Sequence, residues 1–201
     1  QKTAYEISLG LVGSEMCIRD RLELYSDPKS GFEMASGSIL EKWAEDIVKI
    51  HPLTLSEARM LYGRDKWNRA LFRGRQFSVH PVKREDEVTE NYGDRVFRGI
   101  GMVKAVARVV DSSDSIFLPA TYLVDYVKVV EGPSSRNIVE VTSYEGLYCD
   151  LASPGEKILV YGKLEHVRDI RRGEEYHRIV VGSFEAGGRD YIKPLRWIKG
   201  S

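Results

Sequence analysis

The stretch from residue 64 to residue 84 concentrates the side chains that could contact an anionic ligand. It holds seven basic residues and one acidic residue, with aromatic rings between them. Cations attract phosphates, and aromatic rings offer faces on which bases stack. The pattern predicts a nucleotide- or nucleic-acid-binding site formed by Arg64, Lys66, Trp67, Arg69, Arg73, Arg75, His80 and Lys83. In the alternative interpretation, Trp67 and Phe72 anchor a core and the cations form a solvated face.

The other residues that could do chemistry lack the spacing of a catalytic or metal centre. The four histidines are scattered, without cysteines or carboxylates at the spacing of zinc ligands. Asp111 and Asp114 lie in a serine-rich segment that is typical of a turn. We therefore predict neither a catalytic residue nor a metal site.

The composition argues against several classes of protein. The chain has 30 basic and 30 acidic residues, and this balance disfavours a strongly basic protein that coats nucleic acid. No apolar run approaches the roughly 18 residues of a membrane span, so we expect no membrane partner. Cys149 is the one cysteine outside residues 1–20, which fits a reducing cytoplasm.

Residues 1–20 resemble the translation of a sequencing-library adapter. Residues 1–6 match the reading frame of a flow-cell primer, and residues 11–20 match that of a transposase-tagmentation adapter. The residues between them span a gap of the length that a sample index occupies. Such segments are excluded from fold reasoning. We expect residues 1–20 to be an artefact, and the authentic sequence to start near Arg21 without its own N-terminus.

Residues 21–90 are predicted to form a helical unit. Apolar residues recur at helical spacing within residues 38–72, and capping boxes at Ser38 and Thr54 mark two helix starts. Pro52 ends the first helix, and the short connection predicts a helical hairpin. A short strand is predicted at residues 76–80, and the charged residues 83–95 form an exposed junction.

Residues 91–201 are predicted to form a small β-barrel. Turn clusters separate strand patterns at residues 102–110, 116–130, 138–148, 157–167, 176–184 and 191–198. The whole chain is therefore predicted to be α+β, with a helical hairpin followed by a five- or six-stranded antiparallel β-barrel. Five tyrosines on these strands are candidates for a base-stacking face: Tyr122, Tyr126, Tyr144, Tyr148 and Tyr161.

The segment PGEKILVYGKLE at residues 154–165 resembles a strand that is common in oligonucleotide-binding-fold (OB-fold) barrels. Its inward residues would be Ile158 and Val160, and Gly162 would let the strand bend at a barrel corner. The resemblance implies an OB-like barrel.

Three further blocks, together with this strand, are similar to the C-terminal portion of archaeal predicted nucleotidyltransferases of the polymerase-β superfamily. They are residues 64–69 with 72–81, residues 111–122 and residues 143–148. The resemblance implies a nucleotidyl-transfer domain at the N-terminus, a β-rich domain after it, and Mg²⁺ as the cofactor of an intact family member.

The chain lacks the catalytic pattern of that superfamily. Its chemistry uses a Gly-Ser turn, an Asp-x-Asp pair and a third carboxylate to hold divalent metals near a triphosphate. This sequence has no Asp-x-Asp, and Gly37-Ser38 opens a helix instead. We expect a truncated nucleotidyltransferase that is inactive alone and needs no cofactor. The alternatives are a non-catalytic nucleic-acid-binding β-barrel and a structural accessory domain.

Overall fold

The computed structural model describes residues 32–34, 37–63, 69–72, 75–78, 81, 83, 88 and 91–198, with side chains at 40–61, 81, 83, 88 and 91–198. The segment that resembles an adapter lies outside these residues. In chain order, the elements are β1 (Phe32–Met34), α1 (Gly37–Ile50), α2 (Leu55–Gly63), β2 (Arg69–Phe72), β3 (Arg75–Ser78), β4 (Arg95–Asp111), β5 (Ala120–Glu131), β6 (Ile138–Ser143), β7 (Lys157–Asp169), β8 (Glu174–Val181), β9 (Tyr191–Pro194) and α3 (Leu195–Ile198).

The predicted helical hairpin is confirmed. α1 ends at Ile50, before Pro52. Thr54 and Glu57 form the predicted capping box, in which the Thr54 hydroxyl accepts the Glu57 N–H at 3.2 Å and the Glu57 carboxylate accepts the Thr54 N–H at 2.8 Å. An ion pair between Glu41 and Arg59 joins the two helices.

The prediction of helix up to residue 72 is wrong at its end. Residues Arg69–Phe72 form β2, which pairs antiparallel with β1 on one side and with β3 on the other. A short apolar run fits a helix or a strand equally well by spacing, and here strand pairing decides. The predicted strand at residues 76–80 is β3, which starts one residue earlier.

The second unit is a six-stranded sheet in which five strands form a ring. The strands run in the order β4-β5-β6-β8-β7, and β7 pairs again with β4 to close the ring. β9 adds to β7. The predicted α+β class and the β-rich second unit are confirmed at this level.

The sheet contains parallel and antiparallel pairs, whereas the sequence predicts a wholly antiparallel barrel. β6 and β8 are parallel, and the other neighbours in the ring are antiparallel. β7 comes before β8 in the chain, and β8 then lies between β6 and β7. Because β8 is antiparallel to β7, it runs in the same direction as β6. Side-chain alternation is the same in both kinds of pair, and the sequence pattern therefore does not report the direction.

Three predicted strands are shorter than expected. Residues Ser113–Ile116 form a 3-10 turn, the Leu118–Pro119 peptide is cis, and β5 begins at Ala120. β6 ends at Ser143, before a second 3-10 turn at Gly146–Tyr148. The last predicted strand divides into β9 and α3.

Two of the five candidate stacking tyrosines belong to the core inside the ring. Tyr122 and Tyr148 are fully buried, so the predicted stacking face is wrong for both. The Tyr122 hydroxyl donates to the Tyr148 carbonyl at 2.6 Å and accepts the Leu151 N–H at 2.9 Å. Paired in this way, a phenol can lie in an apolar core. Tyr126 and Tyr144 are exposed.

Gly162 of β7 lies directly against the backbone of β8. A Cβ atom at this position would lie 2.4 Å from the Val180 carbonyl oxygen and 2.9 Å from Cγ2 of Ile179. Backbone atoms of a central strand cannot move aside, so only glycine fits.

We expect Gly162→Ala to lower the free energy of unfolding by about 1–3 kcal/mol or more, because the added methyl group overpacks the β7–β8 contact. Gly99→Ala is the matched control, since its Cβ would meet the mobile end of the Lys163 side chain instead. Urea unfolding of both variants measures the difference, and equal stability of the two would contradict this account of Gly162.

Candidate functional site

The structure places the side chain of one of the eight predicted binding residues. Lys83 Nζ lies 2.8 Å from Asp114 Oδ1 and 5.3 Å from the centre of the Phe117 ring. Arg69 and Arg75 lie in β2 and β3, where only the backbone is described. Five predicted residues lie outside the described part of the chain: Arg64, Lys66, Trp67, Arg73 and His80. The binding cluster as a whole stays a prediction.

Lys83 lines an open groove of about 990 Å³ on the outside of the ring. Outward-facing residues of β5, β6 and β8 form its floor, among them Leu123, Val139 and Tyr176. The connection from β4 to β5 contributes Phe117 and its neighbours, and the connection from β7 to β8 contributes Arg172. The first of these connections follows the turn at Asp111, whose carboxylate accepts the Ser113 N–H at 2.8 Å.

Two exposed aromatic rings line the groove. Phe97 is 43% exposed and Tyr144 is 54% exposed. The guanidinium carbon of Arg178 lies 3.8 Å from the centre of the Phe97 ring. An aromatic ring supported by a guanidinium is a platform on which another planar group can stack.

A chain of ion pairs lies beneath the Phe97 ring. Arg178 is only 6% exposed, and its Nε and Nη2 both donate to Glu165 Oε2 at 3.0 Å. Its Nη1 lies 3.6 Å from Glu140 Oε1, and Arg95 Nη1 lies 3.6 Å from Glu140 Oε2. Thr142 donates its hydroxyl to Glu140 at 2.6 Å. Buried charges are tolerated when they are paired and hydrogen-bonded in this manner.

These ion pairs neutralise positive charges that line the groove. Lys83, Arg95 and Arg178 each face a carboxylate. Burial raises the pKa of Tyr176, so its phenol stays neutral and can donate to Glu140, 3.4 Å away. An apolar and aromatic floor with compensated charges suits a planar ligand with polar edges better than it suits a bare phosphate chain.

Sequence reasoning missed Phe97, Glu140 and Arg178. One signal was present, because Tyr176 and Arg178 alternate along β8 with the core residues Ile179 and Val181 and thus mark an outward face. The partners of Arg178 come from β6 and β7, and the sequence does not report that neighbourhood.

No group of three or more His, Cys, Asp or Glu side chains within the described residues is arranged to hold a metal ion. The donor set expected from the nucleotidyltransferase resemblance is therefore not found in this part of the chain, and we assign no metal-assisted step to it. None of the helices in the described ranges combines the length and apolar character that crossing a bilayer requires.

The chain is 34% identical over 149 residues to an uncharacterized protein of Methanocaldococcus jannaschii. The match spans 74% of this chain and 42% of that protein, so the chain covers less than half of its relative. No protein-family model matches the chain, and no solved structure matches it.

We expect Arg178→Ala to lower the free energy of unfolding by about 3–5 kcal/mol, because it leaves Glu140 and Glu165 buried without their shared cation. Arg172→Ala is the matched control, since that side chain is 69% exposed and should cost less than about 1 kcal/mol. Urea unfolding measures both variants. A small effect of Arg178→Ala would show that the ion pairs contribute little.

Proposed function

We propose that the ring is an OB-fold barrel that binds single-stranded nucleic acid in its outer groove without catalysis. The order β4-β5-β6-β8-β7 with one parallel pair supports this proposal, because it is the strand order of a five-stranded Greek-key barrel. OB folds bind along their second and third strands, between the loops that follow the first and fourth strands. The corresponding parts of this ring are β5, β6 and the two connections that line the groove. This coincidence is the observation that carries the proposal.

The side chains of the groove support a ligand with exposed bases. Phe97 and Tyr144 offer stacking faces, and stacking contributes about 1–3 kcal/mol per base without demanding a particular base. The compensated charges around Arg178 and Glu140 leave the phosphates to be bound elsewhere. The basic stretch at residues 64–84 is the candidate for that role, and Lys83 connects it to the groove.

We expect Phe97→Ala and Tyr144→Ala each to weaken binding of a labelled single-stranded RNA or DNA by about 5- to 150-fold, since each removes a stacking face. Phe184→Ala is the matched control, because Phe184 is fully exposed and does not line the groove. Fluorescence anisotropy gives the three dissociation constants. Equal affinities of all three variants and the wild type would exclude the groove as the binding site.

We expect the affinity to fall as salt rises, because phosphate contacts release counterions. Replacing Arg64, Lys66 and Arg69 by glutamine should make the slope of log affinity against log salt shallower by about 0.7 for each lost contact to a single strand. Phe97→Ala should lower the affinity and leave this slope unchanged. Binding that does not respond to salt would contradict the role given to the basic stretch.

We also propose that the intact protein is a nucleotidyltransferase, located in the reducing cytoplasm, in which this ring serves as an accessory domain. The four sequence blocks support this second proposal, as does the length of the archaeal relative, more than half of which lies outside the match. An intact enzyme would use Mg²⁺ in its catalytic domain. Recovery of the uninterrupted gene tests this: its upstream sequence should encode a Gly-Ser turn and an Asp-x-Asp strand, and their absence would refute the enzyme proposal.

A further inference from the structure

Four polar side chains converge between the helical hairpin and the ring. They are His51, directly after α1, Glu145, after β6, Ser183, after β8, and Asp190, before β9. Each has one buried atom without a hydrogen-bond partner among the described residues: His51 Nδ1, Glu145 Oε2, Ser183 Oγ and Asp190 Oδ1. Folded proteins pair nearly all of their buried polar atoms, so four such atoms in one cluster point to a function.

The central contact of this cluster changes its net charge with one proton. His51 Nδ1 lies 3.4 Å from Glu145 Oε2, and both side chains are largely buried. A proton on Glu145 leaves both groups neutral, and a proton on His51 makes them an ion pair. Without that proton, a neutral imidazole can still donate from Nδ1, but it no longer compensates the buried charge of the Glu145 carboxylate. The contact joins the end of α1 to the ring, and the His51 ring also meets the Tyr148 ring in a T-shaped arrangement.

Asp190 places a negative charge beside this contact. It is 1% exposed, and its Oδ2 accepts the N–H groups of Gly182 at 2.7 Å and Ser183 at 3.1 Å. Gly182 has a φ of +88°, and a Cβ there would lie 3.1 Å from Cγ of Glu145. Glycine thus lets the backbone donors reach Asp190 while Glu145 packs against them.

We propose that this cluster is a proton-operated latch, in which one proton held between Glu145 and His51 fastens the α1–α2 hairpin to the ring and its loss releases the hairpin. The inference goes beyond nucleic-acid binding and does not depend on it. The ligand of the site is the proton itself, and the moving part is the hairpin.

The electrostatics of the two residues agree with the geometry. Burial, and then the charge of Asp190, raise the pKa of Glu145 to about 7 from its ordinary value of 4.5. Burial lowers the pKa of His51, against the opposing effect of Asp190. Both shifts favour neutral forms, so at neutral pH the Glu145 acid can donate to the His51 imidazole. Because the folded pKa of Glu145 is the higher one, docking is strongest at low pH and weakens as pH rises through about 7.

The pKa values of Glu57 and Tyr148, which also lie at this interface, are both shifted away from neutral pH. Glu57 of α2 pairs with Lys193 of β9 at 2.9 Å. Burial acts to raise the pKa of Glu57, but hydrogen bonds from Thr54 and Lys193 outweigh it and leave the pKa below its ordinary value. Burial raises the pKa of Tyr148, whose hydroxyl donates to the Asp190 carbonyl at 3.3 Å. The pH response of the hairpin therefore belongs to Glu145 and His51.

Amide hydrogen exchange of the full chain, corrected for intrinsic rates, tests the latch between about pH 4 and pH 8. Protection of α1 and α2 should fall by up to about three-hundredfold as pH rises from about 4 to about 7 and then level off, while β4 and β7 keep their protection. Glu145→Gln should abolish the step, because its amide stays neutral at every pH. Glu185→Gln is the matched control, since Glu185 is exposed and pairs with Lys163, so its replacement should preserve the step.

Carboxyl carbon NMR of the wild type gives a second measurement that needs no variant to fold. One glutamate carboxyl should titrate near pH 7, and it should disappear from the spectrum of Glu145→Gln if that variant folds. Hairpin protection that is constant with pH would overturn the proposal. So would a step that persists in Glu145→Gln, or a wild type in which every glutamate titrates near its ordinary value.

Discussion

The ring exists because β4 pairs with two strands at once. Its residues from Arg95 to Arg108 pair with β7, and those from Lys104 to Asp111 pair with β5. Over residues 104–108 both edges of the strand are hydrogen-bonded, so the sheet closes and presents no free edge there. Closure gives each strand one face toward the core and one toward the outside. The buried tyrosines lie on the inner face of the ring, and the groove lies on its outer face.

The outer face of the ring differs from an ordinary solvated surface because some of its charged side chains are buried. Arg178 and Glu140 stand on adjacent parallel strands, directly opposite each other in the register. Their pairing fixes Arg178 under Phe97, so the aromatic ring is held in place by electrostatics and not by apolar packing alone. In the proposed binding mode, such a preformed floor would present its stacking surface before a ligand arrives, which would lower the entropic cost of binding.

The sequence predicted well what depends on neighbours along the chain. The capping box at Thr54, the end of α1 before Pro52 and the order of strands and turns after residue 91 are all local in origin. What depends on distant pairing was missed, namely the parallel β6–β8 pair and the burial of Tyr122 and Tyr148. The site shows the same division. Lys83 was predicted from local charge, and its role in binding stays a prediction, whereas the network of Arg178 and the contact of His51 with Glu145 arise from tertiary contacts.

The position of β8 has a consequence for how the protein is made. β8 is the last strand of the ring in sequence, yet it lies between β6 and β7. β6 and β7 precede β8 in the chain, so the strand that separates them is the last one to be made. The ring therefore cannot close before Val181 has been synthesised. Exposed strand edges invite pairing with other chains, so β6 and β7 are open to mispairing until β8 takes its place between them.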